Sequence, residues 1–209
     1  MNVIRQSLLI ALLSVFASVA QARDLAHDLH LSLDTALFDW SKSSIDGFDP
    51  DFSNVRFGFP NTLGARVGFL PLDALELGLR VSFNYARSKA DGSKITGSNE
   101  GVFVYARYVA PGSGVRVFAG PFLGGNFAKS KSKGDLTGGT DYVAKTRGFA
   151  VGAEVGVYGF LTESFSIDPS LAFTYAGSWY EAEGRGGDGL DERSVTLSLN
   201  VAFSGWLAL

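Results

Sequence analysis

Residues 75 to 85, LELGLRVSFNY, place Leu75, Leu77, Leu79, Val81, Phe83 and Tyr85 at the odd positions and Glu76, Gly78, Arg80, Ser82 and Asn84 at the even ones. A period of two is the signature of a β-strand, whose successive side chains point to opposite faces of a sheet. The same alternation predicts eight strands, over residues 28–37, 62–70, 74–86, 101–109, 114–128, 147–158, 164–176 and 194–209. Three of the connectors between them are short, at 71–73, 110–113 and 159–163, and four are long, at 38–61, 87–100, 129–146 and 177–193. An even strand number with short turns at one rim and long loops at the other predicts an all-β, eight-stranded antiparallel up-and-down transmembrane barrel. Its short turns are expected in the periplasm, with both termini, and its long loops outside the cell.

The distribution of charge decides which face meets lipid. A charge facing lipid at the bilayer midplane costs about 2 to 4 kcal/mol, and one face of every strand carries none: the odd series of 29–37, 63–69, 75–85, 115–127, 149–157, 165–175 and 195–209, and the even series of 102–108. The opposite face holds Asp34, Arg66, Glu76, Arg80, Arg107, Arg116, Glu154 and Asp168 among Gly, Ala, Ser, Thr and Asn, with His30 beside them on the first strand. The interior of an eight-stranded cylinder is only just wide enough for side chains. The bulky apolar face therefore belongs outside, in lipid, and the small and charged face inside. Phe69, Tyr108 and Phe165 at one rim, and Tyr85, Phe127, Phe149 and Tyr175 at the other, are placed as two aromatic girdles. Pro121 and Pro169 fall within strands and lack the N–H that a ladder uses, which predicts a bulge or irregularity at each.

The N-terminus accounts for how such a chain reaches the membrane. Arg5, the apolar run Leu8 to Val19, and Ala20-Gln21-Ala22 form a secretory signal peptide with cleavage expected after Ala22. Residues 23–209 then make one barrel domain. The chain has no cysteine among its 209 residues, which excludes disulfides and Cys-built metal or haem sites. Its net charge of -3 excludes a broadly basic nucleic-acid binder.

In alternation, loop asymmetry and its closing strand SVTLSLNVAFSGWLAL, the mature chain resembles the small OmpA/OmpX-type outer-membrane barrels over its whole length. The resemblance implies residence in the outer membrane, assembly by the barrel-assembly machinery and contact with outer-membrane lipid and lipopolysaccharide. It also implies a terminal aromatic, where this chain has Leu209.

Four acids against four arginines in the lumen point to a salt-bridged interior, since buried charges are tolerated only when paired. Such an interior is either a solid polar core or a gated, narrow ion path. Lys129, Lys131, Lys133, Lys145 and Arg147 flank the third long loop and are candidate contacts for lipopolysaccharide phosphates. Glu181, Glu183, Asp188, Asp191 and Glu192 make the fourth loop acidic. Asp46, Asp49, Asp51 and Asn54 lack the spacing of a calcium loop, and no metal or cofactor is expected. His27 and His30 lie at the short-turn end of the first strand. A paper triad of Ser32, His30 and Asp34 is therefore at the wrong rim for a lipid-modifying enzyme. The function predicted is a monomeric structural or surface-interaction protein, with a narrow pore as the alternative.

Overall fold

The computed structural model of the protein describes residues 24–45, 48–57, 62–90, 93–112, 114–133, 142–183 and 191–209. Nine strand segments run in order: β1 (Asp28–Ile45), β2 (Phe48–Phe57), β3 (Leu63–Leu72), β4 (Leu75–Ala90), β5 (Ser93–Val109), β6 (Val115–Lys133), β7 (Tyr142–Thr162), β8 (Phe165–Glu183) and β9 (Asp191–Ala208). In the sheet β1 pairs antiparallel with both β2 and β3, each strand from β3 to β8 pairs antiparallel with the next, and β1 pairs with β9, so the sheet closes on itself.

The ninth segment does not add a wall position. β1 pairs through Leu29–Thr35 with β3 and through Phe38–Ile45 with β2, so β2 and β3 follow one another down the same side of β1. The barrel is eight-stranded, with one wall strand built in two pieces.

The main departure from the sequence reading lies at the long-loop rim. Most residues expected in loops extend the strands instead: Arg87 pairs with Thr96, Lys129 with Lys145, and Thr146 with Tyr180. Strands of 16 to 21 residues exceed the 9 to 11 that cross a bilayer, so the hairpins continue beyond the lipid. Both faces of a hairpin outside the membrane are wet, so selection for alternation stops while backbone pairing continues. Sequence periodicity therefore ended too early.

Within the membrane the face assignment matches the structure. Leu31, Leu33, Val67, Leu77, Leu79, Val81, Phe83, Val104, Val117, Leu123, Val151, Val155, Leu171, Phe173 and Phe203 are all exposed, and Arg66, Glu76, Arg107, Glu154 and Asp168 are buried. A register shift between Ala36 and Phe38 changes the pattern on β1. Beyond it Phe38 and Trp40 stand opposite the outward residues Leu199 and Leu197, so the odd series ends before Leu37. Thr35, on the outward series, is buried between its register partners Leu63 and Val201.

The two strand prolines act in a narrower way than a bulge. Pairing of β5 with β6 is interrupted between Tyr105–Phe122 and Tyr108–Ala119, beside Pro121, and that of β7 with β8 between Gly156–Ser170 and Gly159–Ile167, beside Pro169. The register is the same on both sides of each gap. Each proline costs one side of the ladder a donor while the other side stays paired, Pro121 to Ala153 and Pro169 to Val201.

Candidate functional site: the filled lumen

Seven of the eight predicted lumen charges meet in one chain of contacts. Arg80 Nη2 donates to Asp34 Oδ1 at 2.8 Å, and Arg66 Nε donates to Asp34 Oδ2 at 2.5 Å. The same Arg66 forks onto Glu154, Nη1 to Oε2 at 3.1 Å and Nη2 to Oε1 at 3.0 Å. Arg107 Nη2 reaches Glu154 at 2.6 Å from another side, and its Nη1 lies 3.5 Å from Glu76 Oε2. His30 then stands between two acids, Nδ1 at 2.7 Å from Glu76 and Nε2 at 3.8 Å from Asp168. The planar fork of arginine suits this bridging role, because one guanidinium can hold two carboxylates at fixed angles.

The eighth charge is elsewhere. Arg116 Nη1 donates to Asp73 Oδ1 at 2.7 Å, at the β3–β4 turn, so it belongs to the short-turn rim and not to the central network. Register explains the separation: Arg116 stands opposite Tyr158, four residues along β7 from Glu154.

Hydroxyls and aromatic rings that charge patterning did not single out complete the site. Tyr105 and Tyr158 both donate to Glu76, Ser170 donates to Glu154 at 2.5 Å, and Ser204 donates to Asp168. The Arg107 guanidinium lies 4.5 Å from the Tyr105 ring centre and 4.4 Å from that of Phe118. Two glycines make room: a Cβ on Gly64 would fall on the Asp34 carboxylate, and one on Gly68 on the Glu76 carboxylate and the Tyr105 hydroxyl.

Below the charges an apolar plug fills the short-turn end. Leu25, Leu70, Val109, Phe118, Tyr158, Phe160 and Trp206 form one buried cluster. His30 stacks on Trp206 with ring centres 4.3 Å apart and 9° between planes, joining the plug to the network. The signal was in the sequence, since Phe118, Tyr158, Phe160 and Trp206 share the inward parity of Arg116 and Glu154. An inner face described as small and charged left them out.

Leu25 is carried into the plug by the segment before β1. Its N–H donates to Asp73 Oδ1 at 2.8 Å, and the His27 N–H donates to the Leu70 carbonyl at 2.6 Å. His27 takes a positive φ of 70°, which turns the chain from the plug into β1. Burial alone would raise the Asp73 pKa, but the Leu25 N–H and Arg116 outweigh it and hold the carboxyl below its usual range. A carboxyl with a lowered folded-state pKa stabilises above its unfolded value and loses that contribution as pH falls through the folded one. Below about pH 4 the wild type should therefore lose more thermal stability than Asp73→Asn. Equal pH profiles for the two would remove Asp73 from this role.

The other candidates are spread over the rim and the first strand. Lys129, Lys145 and Arg147 are exposed and Lys131 half-buried on β6–β7, while the Lys133 side chain lies outside the described residues, as do Asp46 and the side chains of Asp49, Asp51, Glu181, Glu183 and Asp191. Asp188 and residues 1–23, which include the expected signal peptide, are also outside them. No triad forms on β1: Asp34 is held by Arg66 and Arg80, and His30 faces Glu76 and Asp168.

Comparison with known proteins places the barrel. No curated protein sequence matches the chain. Among solved structures it is similar to Ail, the attachment invasion locus protein of Yersinia pestis, with a TM-score of 0.52 and 12% identity over 86% of this chain and 99% of that one. OprG from Pseudomonas aeruginosa aligns at a TM-score of 0.47 and 12% identity, over 86% of this chain and 96% of that one. Neisserial surface protein A aligns at 0.44 and 18%, over 83% and 95%. At these identities the likeness is one of fold. The family model of the outer membrane protein beta-barrel domain matches residues 8–203, so the chain belongs to that family and its place is the outer membrane.

Proposed function

We propose that the protein is a closed barrel that anchors in the outer membrane and presents its long hairpins at the cell surface, serving a structural or surface-interaction role. The observation that carries this reading is the double filling of the lumen. A pore needs a continuous wet path, whereas here the Asp34–Arg66–Glu154–Arg107–Glu76 chain crosses the interior above a plug with Trp206 and Tyr158 fully buried. The same contacts argue against catalysis, since His30 and Asp34 are both committed to partners.

In this reading the short turns face the periplasm, the chain works as a monomer inserted by the barrel-assembly machinery, and its lipid partners include lipopolysaccharide. A narrow pore is the second reading. His30 Nε2, Ser32 Oγ, Asp168 Oδ1 and Asn200 Nδ2 are buried on β1, β8 and β9 without a protein hydrogen-bond partner, and such a polar wall is what a file of water would follow.

Planar-bilayer recording separates the two. Refolded protein should give no discrete current steps across a range of voltage and salt. Reproducible small steps that change in Arg80→Ala or Glu76→Gln would make the lumen a conduction path and end the closed-barrel reading.

A further inference from the structure

Two features on the outward face of β6 and β7 lie in line. At the long-hairpin rim, Lys129 stands opposite Lys145 and Phe127 opposite Arg147, with Lys131 one step higher. A groove of about 420 Å3 runs there between Phe127, Lys129, Lys145 and Arg147, with Glu100 on its β5 side. The four cations outnumber by one the three acids in the adjoining rows: Glu100, the Glu181 that stands opposite Lys145, and the Glu183 that stands opposite Val143 in the row of Lys131. Lys carries three donors and Arg five, so each can hold a neighbour and an anion together.

Lower on the same strands is a hollow of about 550 Å3. Its floor is Ala119, Pro121 and Ala153, and its walls are Val155, Leu171, Phe173 and Leu197. Pro121 pairs with Ala153 eight residues along the strand from the Lys129–Lys145 pair. At about 3.3 Å per residue and a tilt of about 40°, this is about 20 Å along the membrane normal. Half of a bilayer measured with its headgroups is also about 20 Å. The hollow therefore sits at the depth where the tails of one leaflet end, below a basic groove at the level where their headgroups begin and displaced sideways from it along the tilted strands.

We propose that this face is a binding site for one phosphorylated, multiply acylated lipid of the outer leaflet. Its phosphate rests on Lys129, Lys145 and Arg147, and the end of one tail lies over Ala153 and Pro121. Phe127 packs against the upper part of the tails, as an interfacial aromatic does. Phosphate chemistry selects the headgroup and the hollow selects an acyl chain, so a soluble polyanion would satisfy only half of the site. The choice of the outer leaflet rests on the reading that the long hairpins face outward.

The test uses refolded full-length mature protein in detergent micelles, titrated with bisphosphorylated lipid A, with the same lipid after phosphatase treatment, and with a sulfated disaccharide, each bound fraction read by native mass spectrometry. Lys129→Ala/Lys145→Ala/Arg147→Ala should weaken lipid A binding on the order of a hundredfold, from about fivefold per cation. Lys129→Arg/Lys145→Arg should retain it. Ala153→Phe, a lipid-facing change compatible with the fold, should weaken lipid A binding severalfold and leave the sulfated sugar unaffected. Equal binding of the dephosphorylated lipid, an unchanged triple variant, or a sugar bound as well as lipid A would each overturn the site, the last pointing to a polysaccharide surface. Antibody access on intact cells to a tag inserted at residues 91–92 reads the orientation separately. A tag reached only from the periplasm would overturn the outer-leaflet assignment even if the micelle assay located a lipid.

Discussion

Glu154→Ala should be the most damaging single change in the interior, lowering the unfolding free energy by about 3 to 5 kcal/mol, the cost of leaving buried charge without its partner. Glu154 holds two arginines at once: Arg66 through both of its oxygens at 3.0 and 3.1 Å, and Arg107 at 2.6 Å, with Ser170 completing the set. Removing it leaves two buried guanidinium groups with only Asp34 and the longer Glu76 contact to balance them. Arg80→Ala should be milder. Arg80 is the least buried of the central arginines, and its ion pair is with Asp34, which keeps Arg66 after the change. Urea unfolding in lipid vesicles, followed by tryptophan emission, measures both. A loss below about 1 kcal/mol for Glu154→Ala, the range of an exposed ion pair, would mean that water reaches the network and that the lumen is not the dry core described. A double-mutant cycle of Glu154→Ala with Arg66→Ala should return a favourable coupling, because the two side chains share both hydrogen bonds.

The identities of these interior charges could be read from the sequence, and their partners could not. Parity along each strand separates inside from outside without any knowledge of pairing, and a charge facing lipid is costly enough that the sorting is nearly complete. Which acid meets which base depends on register and on the tilt of the strands, and neither is encoded in a single strand. Arg116 illustrates the limit. It faces inward as Arg107 does, yet its position on β6 brings it to Asp73 at a turn, a residue outside every strand and so outside any alternation.

The plug was missed for a different reason. Trp206, Tyr158 and Phe118 were on the correct face by parity, but large apolar residues on an otherwise polar face do not form a pattern until β6, β7 and β9 are brought around to meet. Leu25 gave no signal because it precedes the first strand. At the long-loop rim, periodicity failed because it reports an asymmetric environment and not a hydrogen-bonded ladder: Lys129–Lys145 and Arg87–Thr96 are paired strands in surroundings that are wet on both sides.

Trp206→Ala tests whether the two fillings of the lumen are independent seals. Trp206 is almost fully buried, stacks on His30, meets Tyr158 edge-on with ring centres 4.9 Å apart at 81°, and donates from Nε1 to Ser166 Oγ at 2.9 Å. Loss of so large a buried ring should cost about 3 to 5 kcal/mol, and Trp206→Phe less, since it keeps most of the packing and gives up the hydrogen bond. Conductance should nevertheless stay at baseline in folded Trp206→Ala. The cavity it opens lies at the short-turn end, below Arg107, and the bridges from Asp34 through Arg66, Glu154 and Arg107 to Glu76 still cross the barrel above it. Current through Trp206→Ala would show instead that the aromatic plug is the only barrier and that the charged chain is permeable once the plug is gone. A double variant with Glu76→Gln, which weakens the charged chain where it joins the plug at His30, should conduct if the seals act in series. Its silence would leave the upper bridges from Arg80 to Glu154 as sufficient closure by themselves.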